Sequence, residues 1–140
     1  MKINEQVLSR KQMARLRELG IDTSDASLCW HWSDEDGGWV LGFMNPLLQE
    51  ISNPPYSGGP FPAYTTGDLF RKLPSSLKCD YLDSWIAIRS DGSDDPLISA
   101  SYEFEYNDIK GKQVGDTIEE ALYNLLCWVA INRKELLGIK

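Results

Sequence analysis

Residues 27–43 read SLCWHWSDEDGGWVLGF, and they hold the chain's only histidine, flanked by two tryptophans and followed by three acids. Leu28, Trp30 and Trp32 alternate with Cys29, His31 and Ser33. Trp39, Leu41 and Phe43 alternate with Val40, Gly42 and Met44. A period of two is the signature of a half-buried strand. The intervening DEDGG supplies the glycines that a tight reversal needs, so the stretch predicts a β-hairpin. The same pleat decides how His31 is read. It places the imidazole on the face opposite the two indoles, beside Cys29 and Ser33. The expected arrangement has the tryptophans turned inward and His31 turned away from them.

Upstream, Ser9 followed by Gln12 forms a capping-box pattern, and Met13, Leu16 and Leu19 fall at helical spacing before Gly20. A helix is expected over about 9–19. Downstream, residues 45–63 contain five of the seven prolines. Proline cannot donate to a strand ladder, so irregular or extended structure is expected there. Thr65 or Thr66 then caps a short helix holding Leu69, Phe70 and Leu73, which Pro74 ends.

Residues 81–90 and 97–106 flank DGSDDP as a second hairpin. In the later segment Ile98, Ala100, Tyr102, Phe104 and Tyr106 share one face, and Ser99, Ser101, Glu103 and Glu105 share the other. That pattern predicts one buried face and one wet face. Asp116 with Glu119 suggests a last capping box. The helix that follows, through LLCWVAI at 125–131, is apolar almost all round and should be the central helix of the core. The expected fold is a single α+β domain over 1–140. It has an antiparallel sheet of about four strands, made of two hairpins, packed against about three helices with the C-terminal one central.

The 140 residues carry a net charge of −7, unevenly placed. Residues 1–20 have five basic against two acidic side chains, a local charge of +3. Residues 21–132 have six basic against eighteen acidic, a local charge of −12. An acidic body repels phosphate backbones and disfavours direct nucleic-acid binding. No apolar run is long enough to span a bilayer. The opening MKINEQVLSRKQM lacks the apolar core of a secretory signal, so a cytoplasmic protein is expected, with no membrane partner. Cys29, Cys79 and Cys127 are odd in number and widely spaced, which fits reduced thiols.

Chemistry is sparse. One histidine leaves no second imidazole for a metal. Cys29 and His31 could form a thiolate–imidazole couple, but no orienting partner is visible. Asp91, Ser93 and Asp95 begin like a calcium loop, yet Pro96 and Tyr102 occupy the positions where glycine and glutamate are required. Glu103 and Glu105 lie about 7 Å apart on one strand face, and the neighbouring serines point to open solvent. No phosphate-cradling glycine motif is present. The sequence therefore implies no cofactor, no metal and no catalytic residue. The strongest binding candidate is the stretch NPPYSGGPFPAY, where Tyr56, Phe61 and Tyr64 are large anchors on a stiffened loop.

Three segments, LSRKQMARLRELGIDTSDASLCW, PAYTTGDLFRKLP and DTIEEALYNLLCWVAINRKEL, together resemble small uncharacterised proteins of prophages and mobile elements of gut Bacteroidales. The resemblance implies a bacterial or phage cytosolic accessory protein and carries over no reaction or cofactor. The function expected from these readings is non-enzymatic binding of a protein partner. Two alternatives are an acidic nucleic-acid mimic, motivated by the acidic middle of the chain, and a small enzyme centred on His31.

Overall fold

The computed structural model describes residues 7–33, 35, 37–43, 61–77, 83–93 and 97–139. Three α-helices and two three-stranded antiparallel sheets make up the regular structure of these residues. Helix α1 spans Arg10–Glu18. Strands β1 (Leu28–Ser33) and β2 (Gly38–Phe43) form the first hairpin. Strand β3 (Phe61–Ala63) pairs with the other edge of β1, giving the order β2-β1-β3. Helix α2 spans Thr66–Lys72. Strands β4 (Ser84–Ser90), β5 (Ile98–Phe104) and β6 (Ile109–Gly115) form the second sheet in that order. Helix α3 spans Ile118–Asn132.

The α+β class and both hairpins are as the sequence predicts. The single four-stranded sheet is not: each hairpin recruits a third strand and stands as its own sheet. The two added strands carry weak signals. Strand β3 is three residues long with Pro62 at its centre. It is an edge strand, the one place in a sheet where the missing N–H is tolerated. Strand β6, IKGKQVG, has exposed residues at most positions and a register shift against β5 between Ala100 and Tyr102.

The helices begin where their caps dictate. The Ser9 hydroxyl accepts from Gln12 N while the Gln12 side chain accepts from Ser9 N. Thr65 and Asp68 do the same for α2. For α3 the cap is Thr117, whose hydroxyl accepts from Glu120 N, and not the expected Asp116 with Glu119. Glu119 instead accepts the Thr66 hydroxyl at 2.6 Å, tying α3 to α2.

Helix α3 lies against β5, β6 and α2. It buries Ala121, Leu122, Leu125, Leu126, Val129 and Ala130 against Tyr102, Phe104, Leu69, Leu77, Met13 and Leu16. It is the central helix, although Ile131 is 59% exposed, so the apolar surround has one wet side. Close approach is enforced at Gly111 of β6. Its φ is +71°, and a Cβ there would fall 2.8 Å from the Trp128 ring.

Two expected faces need correction. On β5, Ser101 and Glu103 belong to the face read as wet, yet they are 3% and 8% exposed. β5 is the middle strand, and Arg89 reaches along it to Glu103. Tyr106 does not continue the apolar face. It sits in a 3-10 turn (Glu105–Asn107) with φ +68° and is 90% exposed. On β1, the more deeply buried face is that of Cys29, which is fully buried, whereas Trp32 on the indole face is 45% exposed.

Candidate functional site

On the indole face of the first sheet, exposed Trp32 meets half-buried Trp39 and Phe61. Register places Trp32 opposite Trp39 and Trp30 opposite both Leu41 and Phe61. The Trp32 and Trp39 rings meet edge to face, 5.7 Å between centroids at 83°. Trp39 and Phe61 meet at 5.5 Å and 61°. Edge-to-face pairs of this kind are favoured by the ring quadrupoles. Helix α1 adds a cation: the Arg10 guanidinium lies 3.8 Å from the Trp39 ring centre and 4.9 Å from that of Phe61. A guanidinium on aromatic faces is held by charge–quadrupole attraction and stacking.

Beside this stack runs a groove of about 410 Å³ lined by Arg10, Lys11, Ala14, Arg17 and Phe61. Arg10, Ala14 and Arg17 are spaced i, i+4, i+7 and therefore form one stripe of the helix. Among the described residues none of Arg10, Lys11 and Arg17 forms an ion pair, whereas Arg15 pairs with Glu18, Lys72 with Asp25, Arg89 with Glu103 and Arg133 with Glu135. The result is a basic, aromatic surface on an acidic protein.

Of the residues singled out from sequence, Phe61 is part of this surface. Tyr64 is not. It is fully buried, and its hydroxyl donates to Asp25 at 2.6 Å. Burial, with that acceptor beside it, pushes its phenol well above the ordinary tyrosine range. Tyr64 is a core residue. Tyr56 lies outside the described residues, as does Cys79. The remaining contributors, Arg10, Lys11, Arg17, Trp32 and Trp39, come together only through the fold.

His31 lies on the face opposite the indoles, as its register requires. Its Nδ1 is buried and has no hydrogen-bond partner. The ring rests on Gly42, where a Cβ would fall 3.1 Å from Cε1. Among the described residues no carboxylate bonds to this imidazole. Burial pushes the neighbouring Cys29 thiol up, away from the thiolate a nucleophile needs. Among the described residues no three His, Cys, Asp or Glu side chains gather as a metal site.

Several of the described acids are engaged locally. Asp22 and Asp91 each accept from the backbone N of a serine two residues on, and this holds both carboxyls below the usual range. Glu103 accepts from Arg89 Nε and Nη2, each at 2.7 Å, which lowers its carboxyl likewise. Asp68 is 4% exposed. Burial would raise its carboxyl, but hydrogen bonds from Ser27 and Thr65 outweigh that and hold it low. Arg71 completes this cluster. These groups pin β1 to α2 and close turns; they do not converge on a shared cleft.

A second groove, also about 410 Å³, includes Gln12, Trp30, Thr117, Glu119 and Glu120 in its lining. Its polar groups are already occupied by the α1 and α3 caps, by Thr66 and by the Trp30 indole N–H, which donates to Leu8 O. No helix among the described residues is long and apolar enough to cross a membrane. Comparison with protein-family models, with curated proteins and with solved structures found no match.

Proposed function

We propose that this protein is a non-enzymatic binding module that engages another protein through the indole face of its first sheet and the adjoining side of α1. The observation that carries this reading is the stack of exposed Trp32 with half-buried Trp39 and Phe61, with Arg10 laid over it. Tryptophan and arginine are the residues most enriched among energetic anchors of protein interfaces. The rings are braced by one another, so little side-chain entropy is lost on docking. The resemblance to mobile-element proteins of gut bacteria supports an accessory role in the bacterial cytoplasm. The engagement of Asp22, Asp68, Asp91, Glu103 and Glu119 in caps, turns and ion pairs favours this reading over an acidic mimic of nucleic acid. The buried, unpartnered Nδ1 of His31, with no carboxylate on the ring among the described residues, favours it over catalysis.

The test compares the purified protein with its Trp32→Ala variant as bait in a host-cell lysate. A partner retained in stoichiometric amount by the parent and lost by the variant is the expected result. A partner retained equally by both overturns the assignment of this face.

A further inference from the structure

Among the described residues Arg10, Lys11 and Arg17 form no ion pair, and all three line one groove beside α1, Arg10 over the Trp39 and Phe61 rings. Arg10 and Arg17 are separated by seven residues, about 10 Å along a helix axis. Lys11 lies between them on the groove wall, and Ala14 and Phe61 leave an apolar floor. An extended chain advances about 3.3 Å per residue, so acidic side chains about three residues apart match that span. The charge of the rest of the molecule limits the length of such a ligand. Residues 21–132 carry −12, and a long polyanion leaving the groove would run into that field. A short acidic segment covers the basic stripe alone.

Resting on the reading that this face binds a protein, we propose that the groove beside α1 receives an extended acidic segment of the partner. Its carboxylates engage Arg10, Lys11 and Arg17, and one apolar side chain lies on Phe61 and Ala14. Arg10 is fixed in place by Trp39, and Lys11 and Arg17 supply the adjustable charges. The Trp32–Trp39 surface next to the groove extends the contact.

The test uses a fluorescein-labelled nine-residue peptide made of three Asp-Leu-Glu repeats. Controls are the same peptide with Asn and Gln in place of the acids, and a nine-nucleotide oligothymidylate. Anisotropy titrations use the parent, Lys11→Glu, Arg17→Glu and, for the same charge change on the exposed face of β6, Lys112→Glu. The expected result is saturable binding of the acidic peptide, weakened about tenfold or more by Lys11→Glu and by Arg17→Glu. Lys112→Glu should stay within about twofold of the parent, and the amide peptide should bind about tenfold more weakly or worse. Four results overturn the proposal. They are no saturable binding, equal loss in Lys112→Glu, tighter binding of the oligonucleotide than of the peptide, and a self-associated protein that Arg17→Glu dissociates. The captured partner separates this inference from the reading beneath it. If Trp32→Ala loses the partner and Arg17→Glu keeps it, the acidic segment is wrong and the aromatic face stands.

Discussion

The Arg10 guanidinium sits 3.8 Å above the Trp39 ring centre, so a side chain of the first helix closes on the second strand of the first sheet. The contact also orders the basic wall of the groove. Replacing Arg10 by alanine should cost about 0.5–1 kcal/mol, the worth of a solvent-facing cation–π contact. Arg10→Lys should recover only part of it, because an ammonium lacks the planar, weakly hydrated face of a guanidinium. Urea denaturation reads the loss, and a change in native tryptophan emission should accompany it. Unchanged stability and emission in Arg10→Ala would show that the stack does not order this surface.

Asp68 ties α2 to the start of β1 through Ser27 N, Ser27 Oγ and Thr65 N, with Arg71 alongside. Its carboxyl is held below its ordinary value in the folded protein. The stabilisation this confers is fully present above the unfolded carboxylate value, about 3.9. It is lost as pH falls through the lower folded value. Asp68→Ala removes a buried acceptor from several donors and should cost about 2–4 kcal/mol at pH 7. The gap in urea midpoint between parent and Asp68→Asn should be widest at pH 7 and narrow towards pH 3. A gap independent of pH would contradict the assignment.

Much of the backbone plan is legible in the residues, and the failures have physical causes. Ser9 with Gln12 and Thr65 with Asp68 mark their helices because capping is a local transaction between neighbours. At α3 two overlapping pairs fit the same spacing. Thr117 wins because its hydroxyl serves Glu120 N, while Glu119 is drawn to Thr66 across the core. Strands β3 and β6 are invisible to periodicity because edge strands need no continuous apolar face. Burial of Ser101 and Glu103 is set by neighbours on both sides of β5, which alternation along one strand cannot reveal. The site divides in the same way. Phe61 is recognisable as an anchor from its loop, whereas the meeting of Arg10 with Trp39 joins residues 29 positions apart and exists only once α1 packs on the sheet.

Gly111 combines a left-handed backbone with a steric limit. Its φ of +71° disfavours any side chain, and a Cβ would lie 2.8 Å from Trp128. Gly111→Ala should therefore cost about 2–4 kcal/mol, from about 1–2 for the backbone and the remainder from repacking. Chemical denaturation measures it. Pairing the change with Trp128→Leu should return part of the loss by relieving the contact, and a purely additive double variant would show that the backbone term acts alone.

His31 gives the last prediction. Its Nδ1 is buried without a partner, and its ring packs on Gly42. An unsatisfied buried polar atom of this kind costs about 1–3 kcal/mol. Phenylalanine has a similar planar shape and removes the orphan nitrogen, so His31→Phe should be neutral or stabilising by up to about 1 kcal/mol. Partner capture should survive the change, because the substitution lies on the opposite face of the sheet from Trp32 and Trp39. A catalytic or ligand-holding imidazole behaves otherwise: phenylalanine would abolish its function whatever happened to stability. Loss of the captured partner in a His31→Phe variant that melts like the parent would move the site from the indole face to the Cys29–His31 face.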